Sequence, residues 1–324
     1  MAADRDLAVA FVRARFPKGG ASGWDMLAAT GARGLRLVRE GHGFRSFLFT
    51  EANPEAAAVL AQNAAGIPGT RVVVTDAHDA PEGAPFDYVD LDPYGSPLSF
   101  LDPAIGAVAN RGVLGVTATD LMVLAGVQPG ACERRYGARP IRGRLGPEGG
   151  LRILLANLAG AARRHGRGVR PLLAYVRDHH LRAYVEVTPS STGADPVGTI
   201  DPATWEGPAV GTGAPFGPLW LGPLFDSALV AHLEVPPAAA QPREVEIFLS
   251  KLRGEIEVDR PFYYEANELA GALGLPSPGS LASYVAGLSA LGYRTAPTHA
   301  RPGGFRTDAP RSVVETVARS LANG

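Results

Sequence analysis

The chain has 324 residues, 46% of them hydrophobic, and a formal net charge of −1. That length and apolar content support two domains with proper cores, while the near-neutral balance gives no molecule-wide signal for nucleic acid. No run is apolar enough to cross a bilayer and Asp4, Arg5 and Asp6 do not suit a signal peptide, so a soluble cytoplasmic protein is expected. Cys132 is the single cysteine and the histidines are scattered apart from His179-His180, so neither a disulfide nor a metal site is expected.

In chain order, residues 23 to 190 alternate short apolar strands with longer helical stretches, the pattern of a doubly wound α/β domain. The strands expected are Trp24 to Ala28, Ser46 to Thr50, Arg71 to Thr75, Phe86 to Leu91 and Val113 to Thr117. Helices are expected over Leu35 to Glu40, Pro54 to Ala65, Leu98 to Asn110 and Glu148 to His165. Arg170 to Val176 and Leu181 to Thr188 read as a hairpin turning at Asp178-His179-His180. Five alternating units closed by a hairpin fit a class I, Rossmann-like methyltransferase sheet better than a dinucleotide fold.

Pro189 to Pro218 is rich in Gly, Pro, Ser and Thr and reads as a long loop or linker. Beyond it, short strands are expected at Leu219 to Leu224 and Ala231 to Val235, and helices at Arg243 to Arg253, Glu265 to Leu273 and Ser280 to Leu291. The division is therefore residues 1–190, a methyltransferase domain, and 191–324, a smaller α+β domain for substrate, without zinc.

Ligands of open α/β sheets bind beyond the carboxyl ends of the strands. After the first strand, Asp25 to Gly34 passes into a helix through a loop where Gly31 permits close approach, without a full G-x-G-x-x-G. Glu51 follows the second strand, where an acid can accept both ribose hydroxyls; Asp76 follows the third, where a carboxylate can accept an adenine amino hydrogen beside the Ala77 N–H. After the fourth stands Asp92-Pro93-Tyr94-Gly95. Taken alone it is either an Asp-Pro-x-Gly turn or a clamp for an amine on a planar base, with Asp92 and the Pro93 carbonyl accepting the amine hydrogens and Tyr94 offering a flat face. The strand-end acids before it favour the clamp. Basic side chains crowd two segments, Arg134, Arg135, Arg139, Arg142 and Arg144, then Arg163, Arg164, Arg167 and Arg170, either phosphate contacts or a solvated surface.

The chain resembles the tRNA guanine-26 N2-dimethyltransferases through 27–36 (LAATGARGLR), Glu51-Ala52-Asn53-Pro54, 90–97 (DLDPYGSP), Thr117-Ala118-Thr119-Asp120, Arg134-Arg135-Tyr136-Gly137, 148–154 (EGGLRIL) and 217–224 (GPLWLGPL). The resemblance implies that Arg5, Arg33, Glu51, Asp76 and Ala77 contact S-adenosylmethionine, with Asp25 and Gly31 beside them. It implies Asp92 as the catalytic carboxylate with Pro93 and Tyr94, and Gly95, Asp120, Arg134, Arg135 and Arg139 on the tRNA side. Arg294, Arg301 and Arg306 are then candidates to grip the tRNA body. Tyr94 stands where many relatives have Phe; the zinc cysteines that some carry are missing; and Leu121 to Gly126 is less polar than the family's equivalent. Other readings are a relative recruited to another RNA or a small amine-bearing metabolite, and a non-catalytic RNA-binding protein. The oligomeric state has no sequence signal.

Overall fold

A computed structural model describes residues 2–79, 83–189, 195–258 and 260–322. The N-terminal helix α1 (Ala2–Arg15) precedes β1 (Ala21–Asp25), α2 (Gly34–Gly41), β2 (Phe44–Glu51), α3 (Pro54–Ala64), β3 (Thr70–Val74) and β4 (Phe86–Leu91). Next come α4 (Leu101–Ala107), β5 (Val108–Ala118), α5 (Leu121–Leu124), α6 (Pro129–Tyr136), α7 (Gly146–Arg164) and the hairpin β6 (Gly168–Arg177) and β7 (His180–Thr188). These seven strands form one sheet in the order β3-β2-β1-β4-β5-β7-β6. The first five are parallel, and β7 is antiparallel to both β5 and β6. That is the expected class I methyltransferase arrangement. The chain reverses its direction of travel between β1 and β4, so the crevice for ligands lies beyond Asp25 and Leu91.

Strand alternation feeds two cores on opposite faces of this sheet. Leu48 joins Trp24, Val89 and the apolar side of α7 on one face, whereas Phe47 and Phe49 join Phe11 of α1 and Leu60 of α3 on the other. Gly150 lets α7 and α5 touch, since a Cβ there would sit 2.9 Å from the Leu124 side chain. This contact fixes the chain just after β5.

Three expectations need correction. Val108 to Asn110 starts β5 rather than ending a helix, because the Arg167 guanidinium donates to the carbonyls of Ile105, Val108 and Ala109 and closes α4 early. Ala231 to Val235 is not a strand: Asp226 accepts a hydrogen bond from Leu229 N and starts the short helix α8 (Ser227–Ala231), whose exit buries Leu233. Within the expected linker, Val197–Ile200 (β8) pairs with Phe216–Trp220 (β9).

The chain continues through α9 (Pro242–Glu255), β10 (Tyr264–Glu265), α10 (Ala266–Leu273), α11 (Leu281–Ala290), β11 (Thr295–Pro297), β12 (Gly304–Thr307) and α12 (Arg311–Ala322). A third core, from Tyr264 to Ala318, belongs to these last elements alone, while Val245, Leu249 and Leu252 of α9 pack with α1. The expected boundary at 190/191 lies outside the described residues.

Candidate active site

Three carboxylates gather at the ends of the central strands. Asp25 closes β1, Asp90 is the penultimate residue of β4, and Asp92 follows it. Two guanidiniums face them. Arg33, in the loop before α2, contacts Asp92 Oδ2 at 2.9 Å; Arg182, wholly buried on β7, contacts Asp90 Oδ2 at 2.6 Å and donates to Thr117 Oγ1 at 2.9 Å. Tyr88 donates to Asp90, and the Arg182 guanidinium lies 4.4 Å over the Tyr184 ring.

Electrostatics separates the three acids. Burial, and then the charges of Asp90 and Asp92, push the Asp25 carboxyl well above the usual carboxylate range. For Asp92, burial acts in the same direction but is outweighed by Arg33, Arg182 and a hydrogen bond with Thr117, so the group is held below its ordinary value. Of the three, Asp25 is thus the acid biased toward its protonated form, and Asp92 is biased toward its anion while its side chain keeps 33% of its exposure.

The loop after Asp92 is held by its neighbour. Gly95 N donates to Thr119 Oγ1 at 2.7 Å, and Thr119 N donates to Gly95 O at 3.0 Å, tying the end of β4 to the end of β5. Gly95 has φ +79°, so the turn suits glycine. Pro93 is buried, but Tyr94 is 102% exposed, so its ring packs on nothing in the protein. Asp120 is half-buried, and its two oxygens lie 2.9 and 2.8 Å from the Tyr136 hydroxyl.

The remaining strand-end residues form a cradle around β1 to β3. Glu51 accepts Ala29 N and Asn53 N, both at 2.8 Å, which leaves its other lone pairs facing outward. Gly31 has φ +84°, and a Cβ there would strike Leu60 at 2.5 Å. Asp76 is exposed and accepts both His78 N and His78 Nδ1–H through Oδ1; the backbone bond first, then the side chain, lowers its pKa. Ala77 is buried beside it. Arg33 has two more nitrogens, Nε and Nη1, buried with no hydrogen-bond partner among the described residues.

Arg5 lies on a helix, not on a free arm. Its flanking acids anchor α1: Asp4 meets Arg177 at 3.3 Å and His180 at 3.1 Å, and Asp6 meets Arg36 at 2.7 Å while accepting Ala240 N and Gln241 N. The basic clusters divide. Arg139 donates to Ala214 O and stacks over Phe216 at 4.6 Å, and Arg144 pairs with Glu265 and Glu268. Arg134, Arg135 and Arg142 make no hydrogen bond or ion pair among the described residues, and all three are exposed. Arg163, Arg164 and Arg170 hold Asp195, Asp102 and Asp226, respectively. Arg306 is 2% exposed, locked to Glu148 and Glu255, so its expected role on the tRNA surface is corrected to an internal one.

The sequence pattern of the family described as N2,N2-dimethylguanosine tRNA methyltransferase matches residues 1–200 and 210–319. The chain belongs to this family. It is 35% identical to a tRNA (guanine(26)-N(2))-dimethyltransferase of Thermococcus kodakarensis, over 99% of this chain and 92% of the relative. A relative of the same description from Aeropyrum pernix is 32% identical over 93% of this chain and 82% of its own. The structure of Trm1 from Pyrococcus horikoshii in complex with S-adenosyl-L-methionine superposes with a TM-score of 0.87 at 28% identity, covering 98% of this chain and 92% of that one. Family membership thus accords with the strand-end geometry. Sequence reasoning missed Arg182 and Tyr136: the first is one of two charges, with Glu186, in an otherwise largely apolar strand, the second a hydroxyl-bearing ring beside the more conspicuous Arg134-Arg135.

Proposed function

We propose that this protein transfers one or two methyl groups from S-adenosylmethionine to the N2 amine of guanine 26 in tRNA, working in the cytoplasm. The observation that carries the chemistry is the anionic, partly exposed Asp92 beside the bare ring of Tyr94. The family and the near full-length similarity to guanine-26 dimethyltransferases support the substrate.

The residues at the strand ends fit the cofactor. Arg33 Nε and Nη1 are buried donors without an acceptor among the described residues, suited to the methionine carboxylate with Arg5, while Gly31 leaves backbone room. Glu51 suits the ribose hydroxyls, Asp76 Oδ2 and the Ala77 N–H suit adenine, and protonated Asp25 adds no second charge beside Arg33. When bound, S-adenosylmethionine supplies an electrophilic methyl group on a positively charged sulfur.

On the substrate side, Tyr94 takes the face of an extruded guanine, and Asp92 with the Pro93 carbonyl accepts the two amine hydrogens, which turns the nitrogen lone pair out of conjugation. Because Arg33 lowers the basicity of Asp92, its first task is orientation. The amine becomes far more acidic than a carboxylic acid once it carries the new methyl group, so Asp92 can then take the proton. Gly95 gives the singly methylated amine space to turn. Arg134 and Arg135 suit the phosphates beside the guanine, Arg139 shapes the cleft next to them, and residues 191–324 contribute the surface for the tRNA body.

The test uses labelled S-adenosylmethionine, a tRNA transcript with guanine at position 26, and nucleoside analysis. The parent protein gives methylated guanosine at that position; Asp92→Ala lowers the rate at least about 100-fold while the cofactor Kd changes less than about threefold. Full activity in the variant would remove Asp92 from the mechanism, and no methylated guanosine from the parent would remove the proposed function.

A further inference from the structure

We propose that Asp120, held in place by Tyr136, reads the N1–H of the target guanine and so selects guanine over bases whose N1 is an acceptor. This inference rests on the methyl-transfer reading above and adds the element that distinguishes the base.

Tyr136 ends α6, is only 4% exposed, and projects its hydroxyl between two loops of the site. That hydroxyl lies 2.8 Å from Ser96 Oγ, in the loop after Asp92, and 2.8 and 2.9 Å from the Asp120 oxygens. It has a single proton. A carboxylate accepts only, so the Tyr136 proton goes to Asp120, and Ser96 donates its own hydrogen to the Tyr136 oxygen. Asp120 therefore spends only part of its accepting capacity on Tyr136, and the half-buried side chain can offer its remaining lone pairs to a ligand. Its negative charge also reaches the buried Cys132 thiol, which burial first and then Asp120 push up to about 12.

This carboxylate stands on the loop that is tied to the one carrying Asp92. β4 and β5 are adjacent and parallel, with Leu91 beside Val116, and the Gly95–Thr119 bonds join the loops that follow them. Asp92 lies three residues before Gly95 on the first of these loops, and Asp120 directly follows Thr119 on the second. Guanine presents an N2 amine and an N1–H side by side on one edge. Asp92 with the Pro93 carbonyl takes the two N2 hydrogens and Asp120 the single N1 hydrogen, and an anionic acceptor facing an N1 lone pair would repel it. The chemistry of the partner is thus a purine carrying both a 2-amino group and an N1 hydrogen. Tyr136 is a positioning residue: it has no contact with the base but prevents Asp120 from rotating into solvent.

A tRNA carrying 2-aminopurine in place of the target guanine tests this, because it keeps the 2-amino group but turns N1 into an acceptor. The parent protein should prefer guanine by on the order of 100-fold in kcat/KM. Asp120→Asn replaces an acceptor oxygen with an NH2 donor and should reduce that preference at least about tenfold, with unchanged S-adenosylmethionine Kd in calorimetry. Tyr136→Phe should also lower the preference, mainly through KM for the guanine tRNA. A merely structural role would slow both substrates equally and leave the ratio unchanged, and that result in Asp120→Asn would overturn the proposal. Should Tyr136→Phe fail to fold, the Asp120→Asn ratio decides alone. A parent protein that methylates neither tRNA would instead overturn the methyl-transfer reading itself, and the base-reading role with it.

Discussion

Asp25, Asp90 and Asp92 stand together, and among the described residues Arg33 and Arg182 are the cations that answer them. The charges balance when Asp25 keeps its proton, which predicts different behaviour for chemically identical substitutions. Asp25→Asn replaces a neutral acid with a neutral amide, and its thermal midpoint at neutral pH should equal or exceed the parent's. The sign follows from the raised carboxyl: an acid whose folded pKa lies above its unfolded one destabilises the fold as pH rises past the unfolded value, and the amide removes that penalty. Asp90→Asn strands the fully buried Arg182 and should lose about 3–5 kcal/mol in chemical denaturation. Equal effects from the two variants would refute this division. The acids themselves were legible as strand-end residues, but their protonation was not. That of Asp92 depends first on Arg33 and then on Arg182, which lies more than ninety positions along the chain from Asp90 and is brought to the site by the antiparallel return of β7.

At the scale of elements, the cradle depends on how α3 begins. Asn53 Oδ1 accepts Glu55 N at 2.9 Å, while Asn53 N donates to Glu51, so one residue both caps the helix and fixes the acid assigned to the ribose. Asn53→Ala keeps the backbone N–H to Glu51 but loosens the cap that places it, so it should reduce stability by about 1 kcal/mol and weaken S-adenosylmethionine binding several-fold, measured by denaturation and calorimetry on the same sample. Loss of stability without weaker binding would separate the cap from the site. The strands and most helices of the sheet were readable from hydrophobic periodicity, and Phe86–Leu91 matches its expected limits. Helix α1 was not, because the buried Asp4 and Asp6 interrupt its apolar face with polar residues whose partners, Arg177, His180 and Arg36, lie elsewhere in the sequence. Long-range pairing hides an element from any local pattern.

Over the whole molecule, the first and last parts of the chain meet through buried charge. Glu148 and Arg152 of α7 join Arg306 of β12, Glu255 of α9 and His299, with Arg306 contacting Glu148 at 2.8 Å and Glu255 at 2.6 Å. Burial alone would raise both glutamates; Arg306 with Arg152, and His299 with Arg306, outweigh it and hold each at about 2 instead of 4.5. Carboxyls with depressed pKa stabilise the fold above their unfolded value, so this contribution is present above pH 4.5 and disappears as pH falls toward about 2. The thermal midpoint should decline through that window. Arg306→Met should cost about 3–5 kcal/mol at neutral pH and flatten the acid-side decline, both visible in calorimetric scans. No composition or spacing in the sequence links Glu148 to Arg306.

That same cluster bears on how the protein can be dissected. A fragment ending before Arg306 would keep the Glu148–Arg152 pair inside α7 without the second guanidinium, and the complementary fragment would carry Arg306 with neither α7 nor its carboxylate. The C-terminal elements therefore cannot be grafted onto another methyltransferase as a ready-made unit unless the recipient helix also supplies a Glu-x-x-x-Arg pair at matching depth.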